Sequence, residues 1–378
     1  MDKTEIRTLF PHIEKGHIYL NHAAISPMSD KVKLALESFL ADRNSGGIDN
    51  FEQWMELTEE TRELISELIS SCASDRITFM GNTSDALSAV AEGIEWSDGD
   101  QIILNTMEFP SNIQPFRILE NRGVKIIYLE PDEAGQITPE MIEDAITPNT
   151  RMVSISFVQY LNGFRADLKS IGEICNANDL FFVVDGIQGL GACPIDVQDF
   201  HIDALASGCH KWLMSPMGIG FLYLSENLAK QLRPAKTGWL SVEVPWELSN
   251  FDQQWQPISR HLETGTYNTA GIVGLHASLK NLLETGIETI EVEILQHTDF
   301  LFSNVSHRND VEILTPTSVK NHAGIFTFKI CNRQSAEDIV AKLKTKNITI
   351  SARQGFIRIS PHYYNTEEEL ETVLNSIF

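Results

Sequence analysis

The chain of 378 residues is acidic, with a formal net charge of −23, and it contains 42% hydrophobic and 21% charged residues. This composition is typical of a globular protein with room for two domains. The negative charge argues against nucleic acid and anionic membranes as partners, because both attract basic patches.

Two further classes of protein are disfavoured by the sequence. No apolar run in it reaches the roughly 18 residues that cross a bilayer, and its first residues lack the basic and then apolar pattern of a signal peptide. We therefore expect a cytoplasmic protein. The five cysteines lie far apart, without a CxxC pair, so neither a disulfide framework nor a metal site is indicated.

The first half of the chain predicts two helices and then an alternation of strands and helices. Residues 30–42 and 51–70 have the apolar periodicity of helices. From about residue 76, short apolar runs alternate with amphipathic stretches, which predicts a mostly parallel sheet covered on both faces. The predicted strands are 77–80, 101–104, 125–129, 152–156 and 181–184, and the predicted helices between them are 84–94, 111–121, 139–145 and 168–178.

The pattern changes after residue 211. Residues 221–224 predict another strand, and a loop rich in Trp, Pro and Gly extends from about 234 to 265. A helix is predicted at 270–285. The last part of the chain predicts strands at 324–329, 348–351 and 356–360 around a helix at 336–344, which is typical of a smaller α+β unit.

Lys211 and Asp185 are the most informative pair of residues. Asp185 ends an apolar run that we expect to be a buried strand, and Lys211 follows a turn of small residues about 26 positions later. This spacing suits a βαβ-type unit with functional groups at strand ends. A lysine that forms a Schiff base and a carboxylate that keeps a pyridine nitrogen protonated are what pyridoxal 5'-phosphate chemistry requires. Taken alone, Asp185 could simply be the aspartate that ends a buried strand, and Lys211 could be a surface lysine beside a packed tryptophan.

A phosphate site is predicted where the first strand of the sheet meets its helix. The segment 81–86 offers a helix N-terminus to an anion, and Thr83 and Ser84 add hydroxyl donors. Ordinary N-capping is the alternative, but binding at this point is typical of α/β folds. The glycines at 186–191 do not form a dinucleotide motif, because Pro194 stands where GxGxxG needs its last glycine.

Seven segments, in order along nearly the whole chain, resemble the class V aminotransferase family of fold-type I PLP-dependent enzymes. This group includes cysteine desulfurases, selenocysteine lyases, kynureninases and isopenicillin N epimerase-like proteins. The segments are YLNHAA at 19–24, GNTSDA at 81–86, EFPSN at 108–112, DGIQ at 185–188, HKW at 210–212, ETGT at 263–266 and RISPHYYNT at 358–366.

The resemblance implies an α/β fold of type I. We expect a large PLP-binding domain at 26–255, with a mostly parallel, seven-stranded type of sheet between helices. An N-terminal segment at 1–25 would lie near the active site, and a small α+β domain would occupy 256–378.

The resemblance also implies the residues that hold the cofactor. Lys211 would form the Schiff base and shuttle the proton, while Asp185 would pair with the pyridine nitrogen and Gln188 with the ring oxygen. Phe109 would stack on the ring without acid–base capacity. The phosphate would be bound by Thr83, Ser84 and His210, and by Thr266 of a neighbouring subunit, which implies a homodimer with shared sites.

The substrate implied by the resemblance is an amino acid. Arg358 would bind its α-carboxylate as a bidentate fork. Asn21 and His22, from the N-terminal segment, and Trp239 are further candidates for substrate contacts.

Two departures from the family pattern bear on the reaction. Cysteine desulfurases need a thiol on a loop before the carboxylate-binding arginine, and residues 351–358 contain no cysteine; Cys331 lies on another predicted element. Gln159 and Tyr160 stand where desulfurases carry Ser-Asn, which favours the kynureninase and epimerase-like branch.

Persulfide formation is therefore disfavoured, and we expect an aminotransferase-like enzyme. The alternatives are a Cβ–S or Cβ–Se lyase of the desulfurase type, an epimerase, and a non-catalytic PLP-binding regulator.

Overall fold

The computed structural model describes residues 3–47, 49–331 and 335–378. Helices and strands alternate through most of the chain. The helices are α1 (Lys3–Thr8), α2 (Asp30–Ser45), α3 (Phe51–Leu68), α4 (Thr83–Gly93), α5 (Gln114–Arg117), α6 (Pro139–Ala145), α7 (Leu168–Ala177), α8 (Glu226–Gln231), α9 (Ile258–His261), α10 (Thr269–Thr285), α11 (Ile287–Val305), α12 (Ala336–Lys344) and α13 (Glu367–Ile377). The strands are β1 (Ile18–Tyr19), β2 (Ile77–Met80), β3 (Gln101–Asn105), β4 (Lys125–Leu129), β5 (Thr150–Ser156), β6 (Phe181–Asp185), β7 (Ala204–Gly208), β8 (Gly220–Leu224), β9 (Val311–Ile313), β10 (Phe326–Ile330), β11 (Ile348–Thr349), β12 (Ser351–Arg353) and β13 (Phe356–Ile359).

Seven strands form the central sheet, in the order β2-β8-β7-β6-β5-β3-β4. Only β8 pairs antiparallel with its neighbours, and the other pairs are parallel. The strands β6, β7 and β8 are buried along their whole length, as expected for a sheet covered by helices on both faces. The predicted fold class is therefore confirmed.

Alternation along the central strands builds two hydrophobic layers, because successive side chains of a strand point to opposite faces. Val184 and Leu205 contribute to one layer, and Val183 and Ala206 contribute to the other. The second layer holds α4, so the helix whose N-terminus is the predicted phosphate site is fixed against the sheet.

The C-terminal residues form an antiparallel four-stranded sheet in the order β12-β13-β10-β9. Its apolar side chains form a separate core with those of α12 and α13. Residues of α10, such as Leu275, pack instead in the core of the large sheet. The domain boundary expected at residue 256 stays a prediction, and these contacts favour a boundary after α10.

The N-terminal segment is joined to the C-terminal sheet region. Ile18 and Tyr19 pair in parallel with Ile348 and Thr349, and Asn21 bridges to Ser360. Ser26 N donates to the carbonyl of His210 at 2.9 Å. The segment therefore lies between the C-terminal sheet and the residues beside Lys211.

The elements that differ from the sequence-based expectation include β7, the region around α5, and α11. The small residues before Lys211 were expected to form a turn, but they end β7, where burial between two strands outweighs weak strand propensity. The predicted helix at 111–121 is a series of short helical turns around α5. The helix α11 was not predicted; Gly286, with φ of 87°, separates it from α10. No helix in the described part of the chain is long and apolar enough to span a membrane.

Candidate active site

A cavity of about 390 Å³ lies beyond the carboxyl ends of β6 and β7. This is where open α/β sheets bind their ligands, and the volume is that of a small-molecule site. Seven of the predicted site residues line the cavity. Its lining consists of Ala23, Ala24, Asn82, Thr83, Ser84, Phe109, Ser111, Tyr160, Ile187, Gln188, His210, Lys211, Arg353 and Arg358.

Lys211 projects its amine into this cavity, three residues after β7 ends. Its Nζ lies 5.6 Å from the centroid of the Phe109 ring. Burial lowers the pKa of Lys211 to about 8; Asp185 opposes the shift, and the positive charges of Arg358 and Arg353 add to it. A substantial fraction of the amine is therefore neutral near physiological pH, as a nucleophile or a base requires.

Asp185 lies directly behind the cavity, at the end of β6. Its Oδ1 accepts a hydrogen bond from Ile187 N at 3.0 Å. Its Oδ2 is buried and has no hydrogen-bond partner in the described residues. Burial raises the pKa of Asp185 to about 7; the bond from Ile187 opposes this shift and the nearby Glu108 increases it. Because a buried carboxylate oxygen normally has a donor, Oδ2 fits a cationic N–H such as that of a protonated pyridine ring.

The N-terminus of α4 forms another wall of the cavity. Asn82 is the N-cap, and its side chain accepts a hydrogen bond from Asp85 N at 3.0 Å. Thr83 Oγ1 accepts from Gly208 N at 2.9 Å, which ties the start of the helix to the end of β7. The next residue, Ser84, and His210 also line this part of the cavity. The N-capping that the sequence offered as the alternative to a phosphate site is therefore present. The capped helix N-terminus still faces the cavity, which suits a phosphate group.

Gln188 is held between two neighbours. Its Nε2 donates to the carbonyl of Ala23 at 3.0 Å, and its Oε1 accepts from Trp212 Nε1 at 2.9 Å. These bonds fix the amide beside Lys211. Its expected bond to the ring oxygen of the cofactor stays a prediction.

Arg358 lies on β13 at another side of the cavity, with only 2% of its surface exposed. Its Nη1 donates to the carbonyl of Tyr160 at 2.6 Å, and its Nε donates to Ser351 Oγ at 3.2 Å. Burial lowers the pKa of Arg358 to about 10, and the charge of Arg353 adds to that effect. A buried cation without a carboxylate partner among the described residues suits an anionic ligand.

The structure places His22 behind the cavity wall. It is completely buried, donates from Nδ1 to the carbonyl of Ser360 and accepts at Nε2 from the Tyr364 hydroxyl, each at 2.9 Å. Burial keeps the pKa of His22 well below its usual value. Neither His22 nor Asn21 lines the cavity, so their predicted substrate contacts stay a prediction that this placement does not favour.

Thr266 and Trp239 lie away from the cavity. Thr266 is exposed and lines a second cavity of about 250 Å³, together with Gly81 and Asp85. The Trp239 ring packs against Trp246, with 5.2 Å between centroids. Within one chain, Thr266 therefore does not reach the first cavity, and its role across a dimer interface stays a prediction.

Sequence reasoning did not assign Glu108, although it belongs to a noted motif. This buried carboxylate accepts hydrogen bonds from Asn105 Nδ2 at 2.7 Å, Ser156 N at 2.8 Å and Gln159 Nε2 at 2.7 Å, and from Ser156 Oγ. Because Ser156 pairs with Asp185 across the sheet, Glu108 helps to define the electrostatic surroundings of Asp185. Its position just after β3 is the signal that could have marked it.

The family model for class V aminotransferases matches residues 18–373, nearly the whole chain. The chain belongs to the class V aminotransferase family. This membership confirms a PLP-dependent enzyme acting on amino acids, and it confirms pyridoxal 5'-phosphate as the cofactor. The lysine amine, the unpartnered oxygen of Asp185 and the helix N-terminus fit that group.

Curated class V relatives carry more than one description. A probable cysteine desulfurase from Methanothermobacter thermautotrophicus is 30% identical, over 94% of this chain and 93% of its own. An uncharacterized aminotransferase from Bacillus subtilis, YcbU, is 26% identical, over 99% and 96%. The apo structure of a cysteine desulfurase from Thermococcus onnurineus superposes with a TM-score of 0.89 at 25% identity, and the match covers 98% of this chain and 96% of that one.

Proposed function

We propose that the chain is a PLP-dependent lyase that removes a sulfur-containing β-substituent from an amino acid without passing the sulfur to a thiol of its own. The similarity to cysteine desulfurases supports chemistry at Cβ–S. The observation that carries the proposal is that none of the described residues lining the cavity is a cysteine.

The five thiols are poorly suited to accept sulfur. Cys175, Cys193 and Cys209 are buried, Cys72 is exposed, and Cys331, directly after β10, is partly buried. Burial raises the pKa of Cys209, the thiol closest to Lys211 in sequence, so it stays protonated and a poor nucleophile.

The cofactor, when bound, withdraws electrons from the Cα of an attached amino acid. Lys211 would hold its aldehyde carbon through Nζ, and Asp185 Oδ2 would hold its pyridine nitrogen. The N-terminus of α4 with Thr83 and Ser84, and His210 beside it, would bind the phosphate. Phe109 would cover the ring.

The remaining residues orient the amino acid and move its proton. Arg358 would bind the α-carboxylate, and Lys211 Nζ would accept the Cα proton. The Cβ–S bond then breaks with its electron pair leaving on sulfur. For cysteine and water the products are hydrogen sulfide, pyruvate and ammonium, a reaction that balances without an oxidant or an acceptor thiol.

An aminotransferase is the second candidate, because a single lysine is also sufficient for the proton transfer that transamination needs. Lys211 is the cavity-lining group whose pKa is lowered to about 8, and Phe109 opposite Nζ carries no titratable proton. Epimerisation is less favoured, since it requires a second group to deliver a proton to the other face of Cα.

The products of the holoenzyme with L-cysteine test the proposal. We expect pyruvate, ammonium and sulfide in equal amounts, no activity in Lys211→Ala, and full activity in Lys230→Ala, which changes an exposed lysine on α8. The oxo acid that retains sulfur would indicate the aminotransferase instead. Alanine together with a protein-bound persulfide would contradict the proposal.

We also propose a homodimer, and the expected cytoplasmic location stays a prediction. Thr266 is exposed outside the first cavity, as a residue serving a neighbouring site must be. The loop after α8 exposes large apolar side chains, among them Phe251 at 92%, Trp246 and Trp255, and exposed apolar patches are typical of interfaces. Light scattering of the purified protein tests this state, and a monomer of full activity would contradict it.

A further inference from the structure

Two arginines share one face of the hairpin formed by β12 and β13. Ser351 pairs with Arg358, and Arg353 lies two residues beyond Ser351 on the same strand. Because alternate residues of a strand point to the same side, Arg353 and Arg358 are diagonal neighbours on the side that lines the cavity. Diagonal neighbours in an antiparallel pair lie about 7–8 Å apart.

The hairpin is held in this position by Tyr160. The Tyr160 carbonyl accepts from Arg358 Nη1 at 2.6 Å, and the Tyr160 hydroxyl accepts from Gln354 Nε2 at 3.0 Å. Gln354 and Gly355 form the turn of the hairpin with positive φ angles of 51° and 82°. These bonds fix the hairpin and the Arg358 guanidinium beside Tyr160, while Arg353 Nη1 donates to the carbonyl of Ala352 at 2.8 Å.

Neither arginine is neutralised by the protein around it. The hydrogen bonds of the two guanidiniums go to backbone carbonyls and a serine hydroxyl. Among the described residues that line the cavity, none is an aspartate or a glutamate. Like charges so placed on one face of a sheet repel each other, and each arginine also lowers the pKa of Lys211.

The cofactor phosphate does not account for both positive charges, because its proposed site is the N-terminus of α4 with His210. One buried arginine, Arg358, is sufficient for an α-carboxylate. This leaves Arg353, an exposed residue that lines the cavity on the same face of the hairpin as Arg358.

We propose that Arg353 binds a second anionic group, carried on the side chain of the substrate. The preferred substrates are then amino acids with a carboxylate or a similar anion beyond Cβ, and under the proposed lyase function that anion belongs to the leaving group. This inference rests on the proposed function for its reaction, but the binding preference stands on the two arginines alone.

A binding measurement without turnover tests the role of Arg353 separately from the proposed lyase function. Glutarate and butyrate differ by one terminal carboxylate, and neither has an amino group that can react. We expect calorimetry on the holoenzyme to give about tenfold tighter binding of glutarate, the contribution of one charge-assisted hydrogen bond. Arg353→Ala should abolish the preference by weakening glutarate alone, and Arg353→Lys should retain part of it.

Arg233→Ala is the matched control, because Arg233 is an exposed arginine that pairs with Glu95 and does not line the cavity. It should bind both ligands as the parent protein does. Equal binding of the two ligands by the parent, or an equal loss of both in Arg353→Ala, would overturn the proposal.

Turnover adds a second readout. S-carboxymethyl-L-cysteine should have a higher kcat/KM than S-ethyl-L-cysteine, and Arg353→Ala should remove that difference. If neither these compounds nor L-cysteine is cleaved while the glutarate preference persists, the lyase function fails and the role of Arg353 stands. If both are cleaved equally well and glutarate has no advantage, the role of Arg353 fails and the lyase function stands.

Discussion

Two buried arginines of this protein differ in the charge of their hydrogen-bond partners. Arg62 on α3 is completely buried, and its Nη1 and Nη2 each donate to a different oxygen of Glu263 at 2.6 Å. Arg358 on β13 is almost as deeply buried, but its hydrogen bonds go to a carbonyl and a hydroxyl. One charge is neutralised within the chain, and the other is not.

The pKa values of the two guanidiniums follow this difference. Burial by itself disfavours the charged form of both. Glu263, together with Glu59 and Tyr267, outweighs burial and raises the pKa of Arg62. In contrast, Arg353 adds to the effect of burial, and the pKa of Arg358 falls to about 10. A buried charge is costly without a partner. The pair around Arg62 therefore serves the fold, whereas the charge of Arg358 at the cavity is available to an anionic ligand.

The largest expected effect is on stability, from Glu263→Gln. Removing one partner of a buried ion pair leaves an uncompensated charge, and we expect a loss of about 3–5 kcal/mol in the free energy of unfolding. Urea unfolding of the variant and the parent measures it. Glu95→Gln, which breaks an exposed pair with Arg233, is the control. Equal stabilities of Glu263→Gln and the parent would contradict the idea that neutralisation of Arg62 by Glu263 stabilises the fold.

Arg358→Ala should show the reverse pattern. Its unfolding free energy should stay close to that of the parent or rise, because the variant no longer buries an unpaired charge. Its affinity for butyrate should fall about 30-fold, as expected for losing charge-assisted hydrogen bonds worth about 2 kcal/mol. Calorimetry and urea unfolding on the same preparations test both halves, and Arg358→Lys should recover part of the binding.

The charge of Arg358 should also be visible at Lys211. The amine must be neutral to attack the cofactor aldehyde, so the rate of cofactor attachment to cofactor-free protein should rise with pH and level off above about pH 8. Arg358→Ala removes a cation that lowers the pKa of Lys211, so the midpoint should move to higher pH. Stopped-flow absorbance measures the rate, and Arg233→Ala should leave the midpoint in place. A shift to lower pH would contradict this electrostatic coupling.

The smallest expected effect is on stability, from Arg260→Ala at the edge of the ion pairs around Arg62. Arg260 pairs with Glu59, which also contacts Arg62, but the Glu59 side chain is 46% exposed. A pair whose carboxylate is so accessible to water contributes little, and Arg260→Ala should cost less than about 1 kcal/mol in urea unfolding. A loss comparable to that of Glu263→Gln would mean that the network, and not the buried pair, stabilises this region.

The surroundings of the unpaired Arg358 were better predicted from the sequence than the ion pair of Arg62 with Glu263. Lys211, Asp185 and Arg358 stand in short motifs at strand ends, where local patterns carry the information. Glu263 also stands in a motif, but its partner Arg62 lies 201 positions away, and no local pattern indicates that contact. The strand β7 escaped prediction for a related reason, because its position between two strands, and not its composition, makes it extended.

Arg353 illustrates the same limit within the site. Its place beside Arg358 depends on the register of a two-residue turn, and a shift of one residue would turn its side chain to the other face of the sheet. The residue types were evident in the sequence, but the face that they share was not.

The pairing of β1 with β11 has a consequence for biosynthesis. Residues 18–21 are joined to residues 348–360, and their neighbours Ala23 and Ser26 bond to Gln188 and His210 beside the cavity. Domains generally fold as units during synthesis, but this pairing requires residues 348–360 to have been made. We therefore expect this wall of the cavity to be completed only after the strands of the large sheet have been synthesised.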